Sequence, residues 1–435
     1  MAGQGVSGAA QGLAYGGLGL PLAFVALPLY VVLPNHYAST WGVPLALLGA
    51  VLLGARLLDA LADPLIGRWV DALFARNPAH AWWAAALAAA VLATGFAALF
   101  FPVEAALEST AALLTWCGIG LAITYLSYSI VGVTHQAWGA RLGGDETQRA
   151  RTVAWREGPA LVGVLVASVL PSMAGLGATA AVFAALLALG IGGLARAPRP
   201  PATPPAADEG SVPLGLPFTT PAFRRLLLVY LVNGIASAVP ATLVLFFIRD
   251  RLQAAVQEPL FLAAYFAAGA LSIPLWVRLV RHLGLARSWL VGMALATAVF
   301  VWASALGPGD IAAYTAVCVL SGIALGADLT LPGAMLTGVI QRAGHQGQAE
   351  GAYFGWWNFA TKLNLALAAG IALPLLQLFG YAPGERGEEA LRALTVAYCL
   401  LPCGLKLLAV ALLWRLARLD PLPADRRAQA PVGAA

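Results

Sequence analysis

Charged side chains are scarce in this sequence: they make up 10% of its 435 residues, against about 25% in typical soluble proteins. Hydrophobic residues make up 60%. So few polar side chains cannot cover the surface of a soluble globule. We therefore predict an integral membrane protein that is embedded in a lipid bilayer.

Lysine and cysteine are also rare, with two lysines and four cysteines in the chain. Cys117, Cys318, Cys399 and Cys403 all fall in apolar runs, without the spacing of metal ligands or of a disulfide framework, so we interpret them as packing residues. No nucleophile has a base or acid placed to activate it. These absences argue against an enzyme and predict no cofactor.

Long apolar runs repeat along nearly the whole chain, and a membrane-spanning helix needs about 20 such residues. We predict an all-α integral membrane protein with twelve transmembrane helices in two six-helix bundles. The predicted spans are 13–34, 43–66, 81–101, 110–139, 154–175, 177–195, 222–248, 258–280, 287–306, 311–340, 351–380 and 391–416.

The arginines set the predicted orientation. Of 25 Lys+Arg, 18 lie in inner loops and ends if the N-terminus is inside, and four lie in outer loops. Because cytoplasmic loops carry the excess of positive charge, both termini are predicted in the cytoplasm and the protein in a plasma membrane, the inner membrane of a bacterium. The same distribution accounts for the net charge of +5, so nucleic-acid binding has no support.

The longest polar and proline-rich segment divides the chain. It predicts a cytoplasmic linker at 196–221 between an N-terminal bundle, 1–195, and a C-terminal bundle, 222–417, followed by a cytoplasmic tail at 418–435. The N-terminus lacks the basic region of a cleaved signal peptide, so the first span is expected to be retained. We expect a monomer.

The second span carries charge inside a hydrophobic run. Arg56, Asp59 and Asp63 fall on one helical face, while leucines cover the others. Such residues usually face a bundle interior and mark an ion or substrate path. Two carboxylates one turn apart need a cation or a basic partner, so we predict a monovalent cation site. Pro64 has no backbone N–H, so it cannot donate the helical hydrogen bond to the carbonyl oxygen of Ala60. That oxygen is left free next to both acids.

The inner end of this span, with Gly67, Arg68 and Asp71, is predicted to form a gate. An alternative reading is that Asp63 and Asp71 only brace that gate through Arg68 or Arg76, and it is the favoured reading for Asp71.

The fourth span is unusually polar, and we expect it to line a cavity with Thr134 and Trp138. His135 is either a proton relay or a packed, neutral side chain. Arg156, which enters the fifth span, either anchors that helix at the interface or reaches an anionic group in the cavity.

Both lysines fall within predicted spans. Lys362 lies about 18 Å from the inner end of its span at 1.5 Å per residue, so it is the expected counter-ion for Asp59 and Asp63. Lys406 is expected to reach the cytoplasmic interface. Asn358 is a candidate substrate ligand, and Asp328 is either a proton or substrate contact or a cap to a broken helix.

The pattern Arg56-xx-Asp59-xxx-Asp63-Pro64, followed by Gly67-xxx-Asp71 and by Asn358-xxx-Lys362, resembles the glycoside-pentoside-hexuronide:cation symporters. These form the melibiose-permease-like branch of the major facilitator superfamily, so the resemblance implies the major facilitator fold. The resemblance covers essentially the whole chain. It implies a Na+, Li+ or H+ site at the two acids with the lysine beside them, and a role in substrate binding for Arg156.

The sequence departs from the sugar-transporting members of this branch at three places. Leu20-Pro21 and Thr134 stand where those members carry acidic residues, and Gly338-Val-Ile-Gln341 replaces an acidic run. A vertebrate sodium-dependent lysolipid symporter of the branch shares the acid pair and the lysine. The resemblance therefore supports an ion site better than any one substrate.

The expected function is cation-coupled symport of a small solute by alternating access, with a sugar or glycoside as one substrate class. Two alternatives remain open: transport of an amphipathic, lipid-like substrate and proton-coupled export. A membrane enzyme is disfavoured because no catalytic constellation is visible.

Overall fold

The computed structural model describes residues 6, 8–201, 212–378, 380–382, 384, 385 and 387–419. Every regular element in these residues is helical. Eight helical stretches are long and apolar enough to cross a membrane. Two of these stretches, Glu146–Arg196 and Glu258–Ala303, each contain two helices joined at a glycine, which gives ten helices. The long helices Leu45–Arg76 and Glu350–Leu378 bring the number to twelve.

The described residues thus form twelve long helices, the number predicted from hydropathy. They are α1 (Ala9–Trp41), α2 (Leu45–Arg76), α3 (Pro78–Phe100), α4 (Thr110–Arg141), α5 and α6 (together Glu146–Arg196), α7 (Pro221–Arg251), α8 and α9 (together Glu258–Ala303), α10 (Ile311–Arg342), α11 (Glu350–Leu378) and α12 (Glu388–Arg418).

Two glycines separate the paired helices. Gly175 lies between α5 and α6 and Gly284 between α8 and α9, each with a φ of 79°. This left-handed region is open to glycine and costly for most other residues. The break between the fifth and sixth spans therefore lies where the sequence predicts it.

The chain forms two compact units. The first consists of Met1–Pro217 and Ile340–Phe359, and the second of Phe218–Val339 and Ala360–Ala435. The segment 340–359, which includes the start of α11, thus packs with the amino-terminal helices. The predicted bounds of the bundles, linker and tail stay predictions; 202–211 of the linker and 420–435 of the tail lie outside the described residues.

Aromatic residues fill the interior of each unit. In the first unit the Phe183 ring lies 5.8 Å from that of Phe24 and 4.8 Å from that of Phe96. In the second, the rings of Phe247 and Tyr398 stack 4.3 Å apart. All five side chains are nearly or fully buried, so each unit has a hydrophobic core of its own.

Helix α1 packs closely on α5 through glycines. A Cβ added at Gly16 would lie 1.9 Å from the Trp155 carbonyl oxygen, and one at Gly19 would lie 2.3 Å from that of Arg156. Only glycine allows this approach. This contact brings α1 against the backbone that carries Arg156.

One predicted loop is wrong. The predicted spans 13–34 and 43–66 leave residues 35–42 as a connecting loop, but residues 35–41 belong to the helical segment Leu33–Trp41. Pro34 stands in the first turn of this segment, directly after the wider helical turn Pro28–Val32. The segment ends at Gly42, with a φ of 64°, and Tyr37 is buried with its hydroxyl donating to the Leu99 carbonyl oxygen.

Candidate functional site

The two acids of α2 face the interior of the first unit. Asp59 is 4% exposed and Asp63 is fully buried, whereas Leu57, Leu58 and Leu61 are about half exposed. The prediction that the charged face avoids lipid is confirmed. The helix therefore presents leucine to lipid and carboxylates to the protein.

Helix α4 supplies a polar partner to this acid pair. The Ser129 hydroxyl donates to Asp59 Oδ1 over 2.8 Å, and Ser129 is itself buried. A serine that gives its proton to a carboxylate still presents oxygen lone pairs to a cation. The sequence shows that α4 is polar but does not place Ser129 at the ion site, because nothing in the sequence sets the rotation of α4 against α2.

Arg56 packs against an aromatic side chain of the first unit. Its guanidinium carbon lies 4.0 Å from the centre of the Tyr30 ring, and the side chain is half-buried. A cation over a tyrosine face is stabilised by the negative face of the ring. Arg56 thus has an aromatic partner on α1.

The carboxyl half of α2 and the start of α11 approach each other through glycines. A Cβ at Gly67 would lie 2.1 Å from the Gly351 carbonyl oxygen, and a Cβ at Gly355 would lie 2.5 Å from that of Asp63. Larger residues at these positions would force the helices apart. The backbone of Asp63 is therefore in direct contact with α11, inside the first unit.

Asp71 joins these same two helices. Its carboxylate accepts the backbone N–H groups of Gly351 and Ala352, each over 2.7 Å, at the beginning of α11. An acid at a helix N-terminus satisfies free donors and complements the helix dipole. The predicted gate residues Gly67 and Asp71 thus both contact the segment 340–359.

The partner expected for Asp71 was wrong. Arg141, at the end of α4, donates to Asp71 over 2.9 Å and pairs with Glu350 at 3.2 Å; among the described residues, no ion pair joins Asp71 to Arg68 or Arg76. Arg141, Asp71 and Glu350 are almost completely buried. The sequence places Arg68 and Arg76 near Asp71 along the helix, but only tertiary packing brings Arg141 there. Arg68 is half-buried on α2.

The candidate substrate residues of the first unit have different surroundings. Arg156 pairs with its neighbour Glu157, with its Nε 2.9 Å from Oε1. Thr134 is fully buried, and its hydroxyl has no hydrogen bond to any residue that the structure describes. Trp138 is buried and donates to the Pro198 carbonyl oxygen over 2.8 Å, while Asn358 is half-buried. Their roles in substrate binding stay predictions.

His135 takes the packed form of its two predicted roles. It is fully buried, and its Nε2 lies 2.8 Å from the backbone oxygen of Tyr15. The Tyr15 hydroxyl in turn donates to the His135 carbonyl oxygen over 3.1 Å. Because a carbonyl only accepts, Nε2 carries the proton. These bonds tie α4 to α1.

A second buried charged cluster lies in the second unit. The Lys406 ammonium donates to Asp328 Oδ2 over 2.8 Å, to Asn233 Oδ1 over 2.8 Å and to Ser237 Oγ over 3.1 Å. Trp289 Nε1 donates to Asp328 Oδ1 over 2.8 Å. We refer to these five residues as the Asp328–Lys406 network. It connects α7, α9, α10 and α12.

The expectation for Lys406 was wrong. The side chain is 6% exposed and pairs with Asp328, so it does not reach the cytoplasmic interface. Lysine and aspartate lie on different helices far apart in sequence, and no local pattern predicts their pairing. For the other lysine, Lys362, the predicted role as counter-ion of Asp59 and Asp63 stays a prediction. Lys362 belongs to the second unit, whereas the two acids belong to the first.

The described residues contain no group of three or more His, Cys, Asp and Glu side chains that would hold a transition metal. The acid pair with its serine instead offers oxygen atoms alone, the ligands of hard cations.

Residues 9–420 match the family described as MFS/sugar transport protein. The chain belongs to this family. The predicted resemblance to the cation symporters of the major facilitator superfamily is confirmed.

A curated relative agrees with this assignment over part of its length. The inner membrane symporter YicJ of Escherichia coli (strain K12) is 32% identical over 140 residues, which is 31% of this chain and 28% of YicJ. The match thus spans less than a third of either protein.

Solved structures of other transporters share the fold. A bacterial homologue of the iron transporter ferroportin, in an outward-facing state, has a TM-score of 0.71 at 17% identity and covers 94% of this chain and 99% of its own. The E. coli fucose:proton symporter FucP has a TM-score of 0.63 at 13% identity, covering 94% and 97%. The human organic anion transporter MFSD10 has a TM-score of 0.62 at 20% identity, covering 94% and 100%. The twelve-helix major facilitator fold is confirmed.

Proposed function

We propose that this multi-pass membrane protein is a cation-coupled symporter that moves a small solute by alternating access. The observation that carries the proposal is the burial of Asp59 and Asp63 on one face of a membrane helix of an MFS/sugar transport protein. The relative named as an inner membrane symporter supports the same mode of transport. The lipid-substrate and exporter alternatives have no separate observation in their favour.

The coupling ion in this proposal is Na+ or H+, held by Asp59 and Asp63. Ser129 orients Asp59 and contributes an oxygen atom. Lys362 serves as the counter-charge, as the resemblance implies, so that two carboxylates and one ammonium leave a net charge of about −1 for one monovalent cation to neutralise. An ion that binds one conformation better biases solute loading through its differential affinity.

Gating in this proposal involves the contacts of Gly67 and Asp71 with the start of α11. Arg156, Thr134 and Asn358, together with Trp138, face the solute. The solute is a small molecule such as a sugar, the protein is a monomer in a plasma membrane, and both termini lie in the cytoplasm.

The ion site can be tested without knowing the solute. Calorimetric titration of the purified protein with Na+ at pH 6 and pH 8 should show binding by the wild type that is lost in Asp63→Asn. Asp310→Asn is the matched control, because Asp310 is an exposed acid outside the site. If H+ couples instead, no sodium heat is expected, and a pH step should release a proton from the wild type that Asp63→Asn lacks. Equal sodium and proton binding by wild type and Asp63→Asn would contradict the proposal.

A further inference from the structure

The second unit contains a cavity of about 160 Å³ between α7, α8, α9, α10 and α12. Aromatic rings form much of its wall, namely those of Phe261, Tyr265, Phe266, Phe300, Tyr314 and Tyr398. Aromatic rings pack favourably on one another in offset-stacked or edge-to-face arrangements. The wall thus offers several ring faces and edges to a ligand that is itself aromatic.

The ion pair on the wall is already satisfied by the protein. The ammonium of Lys406 donates to three acceptors, and the Asp328 carboxylate accepts from Lys406, Asn233, Ser237 and Trp289. A ligand with a net charge would leave one buried charge without compensation, which is costly in this environment. The balanced pair therefore favours an uncharged ligand.

Most hydroxyl groups on the wall have partners as well. Thr297 and Ser321 each donate to a carbonyl oxygen of the preceding helical turn. The Tyr314 and Tyr398 hydroxyls bond to each other over 2.7 Å, so these two residues present mainly their rings to the space. Because these groups have little left to offer water or a polar ligand, the cavity favours an apolar one.

The size of the cavity suits one ring. A dry, apolar protein cavity of about 150 Å³ accommodates benzene. The cavity of the second unit has a similar volume, about 160 Å³. A single aromatic ring with a small substituent therefore fills it.

We propose that this cavity is a binding site for a small, uncharged molecule with one aromatic ring. Such a ligand is distinct from the solute of the proposed function. The candidate solute residues all belong to the first unit, whereas the cavity lies wholly within the second. The bound ring contacts five helices of the second unit, so its binding stabilises the folded protein.

Binding of neutral and charged probes that carry the same ring tests the ligand class. The purified full-length protein in lipid nanodiscs is dialysed to equilibrium against toluene, benzoate or benzylammonium. Empty nanodiscs of the same lipid give the background from partitioning. Toluene should bind saturably and at least tenfold more tightly than either charged probe. Absence of saturable toluene binding, or equal affinity for a charged probe, would overturn the proposal.

Methylcyclohexane tests the role of the aromatic wall, because it has nearly the shape of toluene without an aromatic ring. Ring-to-ring contacts should make toluene bind at least threefold more tightly in the same dialysis. Equal affinity for the two probes would overturn the assignment to aromatic ligands.

Two serines with the same local bond provide matched variants. Ser321 and Ser168 each donate to the carbonyl oxygen three residues earlier, but Ser321 lines the cavity and Ser168 is exposed on α5. Ser321→Leu should fill the space and weaken toluene binding at least tenfold. Ser168→Leu should bind like the wild type. Equal affinity in the two variants would place the probe elsewhere and contradict the proposal.

Two further variants keep this test independent of how well Ser321→Leu folds. Thr297→Leu fills the cavity from α9 instead of α10 and should also weaken binding at least tenfold. Ser321→Ala removes only the hydroxyl group and should leave toluene affinity within about twofold, because the ligand is apolar. Saturating toluene should raise the melting temperature of the wild type and of Ser321→Ala. Unchanged melting temperatures in both would contradict binding at this cavity.

The site and the proposed function are tested separately, since toluene binding requires neither the coupling ion nor the solute. Asp63→Asn and Arg156→Ala, which alter the first unit, should bind toluene with wild-type affinity. Loss of toluene binding in either variant, with the wild-type melting temperature retained, would place the ligand in the transport site and overturn the proposal.

Discussion

At the residue scale, the feature that most needs explanation is the pair of buried carboxylates on α2. A charge at the centre of a bilayer costs roughly 2.5–3.5 kcal/mol on insertion scales. Helix α2 avoids this exposure by turning Asp59 and Asp63 inward and leucines outward. Side chains retained at such a cost are explained by a function that needs their charge, and ion binding is the one proposed here.

Ser129→Ala should weaken cation binding about tenfold, which corresponds to about 1.4 kcal/mol. The variant removes the hydroxyl that donates to Asp59 and would supply an oxygen to the ion. Calorimetric titration with the coupling ion measures the change. Ser127→Ala, two residues earlier on α4 and also buried, is the control and should bind like the wild type. Unchanged affinity in Ser129→Ala would remove Ser129 from the site.

At the scale of helices, the contact between α2 and the start of α11 depends on glycine. Gly67 and Gly351 bring the two backbones so close that no side chain fits between them. Asp71 then binds the first N–H groups of α11, and Arg141 compensates the buried charges of Asp71 and Glu350. Close backbone packing and buried ion pairs thus both stabilise the contact between α2 and the start of α11.

Gly67→Ala should lower the free energy of unfolding by about 1–3 kcal/mol, and with it the melting temperature. The reason is that the added Cβ would overlap the Gly351 carbonyl oxygen. Gly54→Ala, on the same helix with open space around it, should be neutral or stabilising by about 0.5–1 kcal/mol. Thermal melts of the two variants give the comparison. A stable Gly67→Ala would show that this contact opens without cost.

Arg141→Ala should be the more damaging change at this junction, because it leaves Asp71 and Glu350 buried without their cation. The expected loss is about 3–5 kcal/mol of stability. Arg68→Ala, which removes the partner first expected for Asp71, should stay within about 0.5 kcal/mol of the wild type. Melting curves for both decide between the two arginines; a larger loss in Arg68→Ala would contradict the assignment.

Most helices could be predicted from the sequence, because a spanning helix must be apolar over its whole length. The inward face of α2 also followed from the spacing of Asp59 and Asp63. The helical course of residues 35–41 did not, since its support is a tertiary contact of Tyr37. The pairs Asp71–Arg141 and Asp328–Lys406 join helices 70 and 78 residues apart, and local spacing carries no information about such pairs.

At the scale of the whole molecule, the skewed distribution of arginine predicts that the central linker faces the cytoplasm. A cysteine placed at Ala206 should resist an impermeant thiol reagent in intact cells and react after the cells are opened. The four native cysteines are buried and provide a low background. Rapid labelling in intact cells would contradict the prediction and show that the linker lies on the outside.

Coupling is also a property of the whole molecule, because one ion gradient must drive one solute. Removing an acid should abolish the effect of the ion and leave part of the solute binding, since the proposed solute residues Arg156, Thr134 and Asn358 lie on other helices than α2. Downhill exchange should therefore survive partly in variants that no longer accumulate solute.

The most direct measurement is solute uptake into proteoliposomes under an imposed Na+ or H+ gradient, with exchange at zero gradient assayed in the same preparations. The solute is a small sugar found to bind the purified protein, with D-glucose, D-galactose and D-xylose as the first to be titrated. Wild type and Asp310→Asn should accumulate solute above its external concentration, whereas Asp59→Asn and Asp63→Asn should only equilibrate it. Full concentrative uptake by both acid-pair variants would contradict the account.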